Sequence, residues 1–111
     1  MILVSGATGG IGGELCRQLQ QAGTPFRAMC RKQEQVDNLQ QKGMDAVLGD
    51  FDTPETLQGA MQGCHTLFLI TPPTPGQVVQ ETAAIVSTPR NSMPAKTRGL
   101  RLMLITELSG R

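Results

Sequence analysis

The feature that most constrains this chain is a short apolar run, Ile2-Leu3-Val4, that breaks at Ser5 into a glycine-rich turn, Gly6-Ala7-Thr8-Gly9-Gly10-Ile11-Gly12. An apolar triplet ending at glycines reads as a strand buried on both faces, as the central strands of a parallel sheet are. After the turn, Ile11, Leu15, Cys16, Leu19 and Ala22 recur at helical spacing, and Gly23 followed by Pro25 supplies a stop. Strand, glycine turn and amphipathic helix in that order point to a parallel sheet, because parallel neighbours must be joined by a helical crossover.

The alternation continues along the chain. Phe26-Arg27-Ala28-Met29-Cys30 reads as a second strand, and Gln33 to Lys42, with Val36 and Leu39 on one face and Gly43 at its end, as a second helix. Ala46-Val47-Leu48 reads as a third strand, about Pro54 to Gln62 as a helix with proline in its first turn, and Leu67-Phe68-Leu69-Ile70 as a fourth strand. Pro72, Pro73 and Pro75 make a rigid loop, after which Val78, Val79, Thr82, Ala83 and Val86 mark one face of a fourth helix. Leu102 to Ile105 supplies a fifth strand. Strands begin roughly twenty residues apart, which leaves room for one helix between each pair. The expectation is an α/β fold, a three-layer, doubly wound parallel sheet of about five strands in the Rossmann manner, with residues 1–111 as a single domain. Ser87 to Leu100 breaks the rhythm. Pro89, Arg90, Asn91, Ser92, Pro94, Lys96 and Arg98 read as an irregular basic loop, either a solvated linker or a phosphate- or partner-binding segment.

Composition narrows the function classes. A formal net charge of +1 with 17% charged residues gives no electrostatic reason to expect nucleic acid or a membrane as partner. Cys16, Cys30 and Cys64 are too widely spaced for a metal pair and odd in number, so neither a metal site nor a disulfide framework is expected, and a reducing, cytoplasmic setting follows. The apolar N-terminal run is far too short for a signal peptide or a membrane span. His65, the single histidine, precedes the fourth strand at the end away from where such sheets bind ligands, and reads as structural.

The turn carries the chemistry. A helix N-terminus offers free backbone N–H groups and the positive end of its dipole, which accept a pyrophosphate if the backbone can come close. Gly6 permits a sharp exit from the strand, Gly9 leaves out a side chain where phosphate would sit, and Gly12 lets the helix pack closely, with Gly10 and Gly13 adding room. A plain tight turn without ligand would use some of the same glycines. A nucleoside-triphosphate P-loop is excluded, since Gly12 is followed by Gly13 and Glu14 and not by Lys and Ser or Thr. About twenty residues beyond the turn, an NAD-binding domain places an Asp or Glu on the adenosine ribose 2′-hydroxyl. Here the residues are Cys30, Arg31 and Lys32. A guanidinium at Arg31 can clamp a ribose 2′-phosphate, with Lys32 adding charge, so NADP(H) is expected over NAD(H); the plainer alternative is two solvated residues opening a helix.

Four segments together, Ile2 to Gly12, Arg27 to Lys32, Gly49-Asp50-Phe51-Asp52 and Leu67 to Pro73, resemble the NmrA-like branch of the atypical short-chain dehydrogenase/reductase family. The resemblance implies that Thr8 to Ile11 cradle the pyrophosphate, Arg31 meets the 2′-phosphate, Asp50 and Phe51 border the adenine, and Thr71 and Pro72 line the ribose and nicotinamide side. Asp50 also reads as a plain turn or helix-capping residue. The resemblance covers residues 1–86 and then fades; the later strands and C-terminal substrate-binding portion of the family have no counterpart, so a truncated or frame-altered product, or a natural short form, is expected. A sheet ending at a fifth strand leaves an edge and helix faces uncovered, so self-association is expected too.

The chain has no tyrosine, which excludes the Tyr-x-x-x-Lys acid–base pair of typical short-chain dehydrogenases, and no catalytic residue is assigned. Members of the resembling family include quinone and imine reductases and NADP(H) sensors, and hydride transfer belongs to the cofactor. The leading expectation is an NADP(H)-binding domain of an oxidoreductase acting on quinone-like or similar small acceptors. A non-enzymatic NADP(H) sensor and a remnant without activity are the alternatives.

Overall fold

The computed structural model describes residues 1–71 and 75–106; the Pro72 assignment lies outside the described residues. In chain order the elements are β1 (Ile2–Val4), α1 (Gly10–Ala22), β2 (Phe26–Cys30), α2 (Gln33–Gln41), β3 (Ala46–Leu48), α3 (Pro54–Met61), β4 (Thr66–Thr71), α4 (Pro75–Ser87), α5 (Ala95–Arg98) and β5 (Arg101–Thr106). The strands form one parallel sheet in the order β3-β2-β1-β4-β5. This is the doubly wound α/β arrangement that the strand and helix alternation implies.

Strand alternation divides the core into two layers. Leu3, Met29, Leu67 and Leu69 pack toward α3 and α4 through Leu57, Ala60, Met61 and Ile85. Val4, Ala28, Cys30 and Ala46 pack toward α1 and α2 through Cys16 and Val36. The chain first runs outward from β1 to β2 and β3, then returns to place β4 on the other side of β1. Because crossovers are right-handed, that reversal moves the helices to the opposite face and opens a crevice at the C-terminal ends of β1 and β4. Ser5 stitches the two strands where they begin to part. Its buried hydroxyl donates to the Phe68 carbonyl at 3.3 Å and accepts the Ile70 N–H at 3.1 Å.

Two expectations shift. In α4 the buried side chain is Ile85, with Val78, Glu81, Thr82 and Ala84 half-buried, while Val79, Ala83 and Val86 face outward. Apolar residues occur at adjacent positions of this helix, so its spacing leaves the inward phase open, and burial of Ile85 against the sheet settles it. Within Ser87 to Leu100, expected to be irregular, Ala95–Arg98 forms a helical turn whose first bonds run from the Thr97 and Arg98 N–H groups to the Pro94 carbonyl at 2.9 and 3.0 Å. Buried Met93 and Thr97 pin this segment to the body. Its arginines serve the backbone: Arg90 donates to the Ile85 carbonyl at 3.1 Å and Arg98 to the Met93 carbonyl at 2.8 Å. No helix among the described residues is long and apolar enough to cross a membrane.

Candidate functional site

The glycine turn is built by backbone contact. Gly6 leaves β1 at φ +66°, in the left-handed region, and its carbonyl accepts the Gly9 N–H at 3.0 Å. A Cβ on Gly12 would lie 1.9 Å from the Gly6 carbonyl oxygen and 2.7 Å from its carbon. Gly12 therefore seats the first turn of α1 on the Gly6 peptide itself, a closer requirement than helix-to-sheet packing. At Gly9 an added Cβ would meet only the Gly6 oxygen, at 3.5 Å, so what a side chain would fill there is the open front of the turn.

The first intrahelical bond of α1 joins the Gly13 N–H to the Gly9 carbonyl at 2.8 Å, which leaves the N–H groups of Gly10, Ile11 and Gly12 without helical acceptors. No side chain caps this end and no acid lies in the first turn. Glu14, the nearest carboxylate along the helix, is taken up by Arg17 and by Gln18, the latter at 2.9 Å. The Arg17 guanidinium, and after it the Gln18 amide, hold the Glu14 carboxyl down to about 2. An uncapped helix N-terminus of this kind is suited to an anion.

In front of the turn opens a cavity of about 760 Å³. It is lined by Gly6, Thr8 and Gly9 of the turn, by Met29, Cys30, Arg31, Lys32 and Gln35 from β2 and the start of α2, by Asp50 and Phe51 after β3, and by Ile70, Thr71, Gln77 and Glu81 from β4 and α4. Of the residues singled out in the sequence, the fold thus brings Gly6, Thr8, Gly9, Arg31, Lys32, Asp50, Phe51 and Thr71 to one cavity. Ala7 and Gly12 are buried behind it, and Gly10 and Ile11 open α1 without lining the cavity. Ala7 belongs to the core layer under α1, so its side chain supports the turn from behind.

The two sides differ in character. Arg31 and Lys32 are exposed and join no ion pair among the described residues, where the pairs formed are Arg17 with Glu14 and Arg27 with Asp45. Asp50 plays the turn role in any case: its carboxylate accepts the Asp52 N–H at 2.9 Å and its own N–H donates to the Thr56 hydroxyl at 2.8 Å. Across the cavity Thr71 is only 2% exposed, and among the described residues its Oγ1 has no hydrogen-bond partner. An unpaired buried hydroxyl costs about 1–3 kcal/mol. Here it sits on the wall of the cavity, where a ligand can pair it.

Cys30 also lines the cavity, but burial pushes its thiol up, so it is a poor nucleophile. His65 lies at the N-terminal ends of the strands, away from the cavity, its backbone N–H bonded to the Met1 carbonyl at 2.9 Å and its carbonyl to the Arg101 N–H at 3.0 Å. Among the described residues no group of three His, Cys, Asp or Glu side chains could hold a metal. Sequence reasoning missed Gln35, Gln77 and Glu81. The available signal for the last two was a polar pair four residues apart on one helix, and the structure hydrogen-bonds them at 2.9 Å.

Comparison with known proteins places these features in a lineage. A family model described as NAD(P)H-binding matches residues 6–97, beyond residue 86 where the resemblance was expected to fade. Buried Thr88, Met93 and Thr97 give that stretch a structural reason to belong. An NAD(P)H azoreductase of Xenophilus azovorans is 39% identical over 101 residues, covering 91% of this chain and 33% of that protein. A triphenylmethane reductase of Citrobacter sp., solved with NADP(H), superimposes with a TM-score of 0.70 at 30% identity, over 83% of this chain and 34% of that one. An NADPH-dependent quinone oxidoreductase of Escherichia coli, solved with NADPH, shares the fold with a TM-score of 0.72 at 24% identity, over 94% of this chain and 36% of that one. The chain thus spans about a third of the length of each of these proteins.

Proposed function

The chain belongs to the NAD(P)H-binding family, in keeping with its NmrA-like resemblance, and from that premise we propose that it binds NADP(H) in preference to NAD(H), as the dinucleotide-binding part of a reductase of quinone-, azo- or dye-like acceptors. The observation that carries the preference is the end of β2. Where an NAD site sets a carboxylate, two cations outside any ion pair among the described residues, Arg31 and Lys32, stand on the cavity wall.

The residues fit the group. The uncapped start of α1 suits a pyrophosphate, Arg31 and Lys32 suit a 2′-phosphate, Asp50 and Phe51 border a place for adenine, and the Thr71 hydroxyl, unpaired among the described residues, suits the nicotinamide side. The dinucleotide when bound supplies the hydride; the protein supplies position. Three buried, unbridged thiols suit the reducing cytoplasm as its setting.

A non-enzymatic sensor is the second reading, favoured by a cavity wall that carries neither tyrosine nor histidine among the described residues. The two separate in one assay. A reductase depletes NADPH when offered a quinone or an azo compound, whereas a sensor binds it and leaves it unreacted. Loss of the NADPH preference in Arg31→Ala supports the cofactor assignment, and an unchanged preference removes it.

A further inference from the structure

Two elements that line the cavity are joined by side chains that the cofactor reading leaves unused. The loop after β3 supplies Asp50 and Phe51, and α4 supplies Gln77 and Glu81. Gln80 lies one turn beyond Gln77 on the same face of α4, and its side-chain N–H donates to Asp52 Oδ1 at 3.0 Å. Among the described residues this is the one side-chain hydrogen bond between the two elements.

The near end of the loop is fixed independently. A Cβ on Gly49 would meet the Met29 side chain at 2.5 Å, so the backbone there lies directly against β2. The Asp50 N–H donates to the Thr56 hydroxyl, and the Asp50 carboxylate accepts the Asp52 N–H. Phe51 follows, half-buried against the core layer of α3 and α4. Asp52 is thus the point at which the far end of the loop is tied or released. A carboxylate acceptor makes the Gln80 bond charge-assisted, and the neutral amide makes it without bringing a cation to the site. We propose that Gln80 is a positioning residue: through Asp52 it sets the width of the cavity between Phe51 and α4, and with it the fit of the base that enters there. This rests on the dinucleotide reading of the site, in which that base is the adenine. Holding the loop in place before the ligand arrives lowers the ordering cost of binding.

Calorimetric titration of the full chain with NADPH and with adenosine 2′,5′-bisphosphate, which carries the adenine without the nicotinamide half, tests the proposal. Gln80→Glu, which sets a second carboxylate against Asp52, is expected to weaken both probes alike, by about fivefold, and Gln80→Ala by about threefold. Adding Asp52→Asn to Gln80→Glu exchanges donor and acceptor, and is expected to return both affinities to within about twofold of the unsubstituted chain. The bond is exposed, so Tm is expected to stay within about 3 °C in every variant. Unchanged affinities in Gln80→Glu, a loss for NADPH alone, no recovery in the double variant, or a loss of affinity that only follows a large fall in Tm overturns the role of Gln80 while leaving the dinucleotide site standing. Failure of the unsubstituted chain to bind either probe overturns both.

Discussion

Gly12 and Arg31 show how differently two residues of one site are constrained. A Cβ at Gly12 would collide with backbone 1.9 Å away, so Gly12→Ala is expected to destabilise the chain by more than about 3 kcal/mol, seen as a large fall in Tm. A loss under about 1 kcal/mol would contradict the close seating of α1 on Gly6. Arg31 is exposed and, among the described residues, outside any ion pair, so Arg31→Ala is expected to leave Tm in place while weakening NADPH by about 1.5–3 kcal/mol and NADH hardly at all. The cysteines make a third case. Burial pushes Cys16 up to about 11 and raises Cys30 and Cys64 as well. Thiol reagents at about pH 8 are therefore expected to react slowly with the native chain and fast once it is denatured, and rapid native reaction would contradict their burial. The glycines and Arg31 were legible in the sequence because a left-handed turn and a missing carboxylate are properties of single positions. Ser5, Gln77 and Glu81 were not, because each acquires its role from an element brought beside it only by the fold.

Arg27 illustrates coupling between elements. It projects from β2 and donates to the Ala60 and Gln62 carbonyls at the C-terminus of α3, each at 2.9 Å, with Asp45 at 3.4 Å from its Nε. A guanidinium there pairs carbonyls that the helix end leaves free and complements its dipole. Arg27→Ala is expected to cost about 2 kcal/mol in urea unfolding, and Arg27→Lys less; no shift in midpoint would contradict the clamp. Strands were the most legible elements, since Ile2-Leu3-Val4 and Leu67 to Ile70 are continuous apolar runs of the kind buried on both faces. The phase of α4 and the turn of α5 were not legible. The first depends on Ile85 meeting the sheet and the second on burial of Met93 and Thr97, both long-range contacts that local pattern does not encode.

Taken whole, the molecule is a sheet whose order reverses at β1, with its cavity at the reversal and β5 on one edge. Among the described residues β5 pairs only with β4, and Met103 and Leu104, on its two faces, are 51% and 49% exposed. The chain is expected to self-associate through this strand. Light scattering should show mass rising with concentration, and lysine at both Met103 and Leu104 should reduce it; a clean monomer at high concentration would contradict the expectation. Whether the reversal point holds a dinucleotide is tested most directly by calorimetric titration with NADPH and NADH side by side. NADPH is expected to bind, at least about tenfold more tightly than NADH. Equal affinities would contradict the part given to Arg31, and binding of neither at near-millimolar concentration would contradict the dinucleotide site altogether.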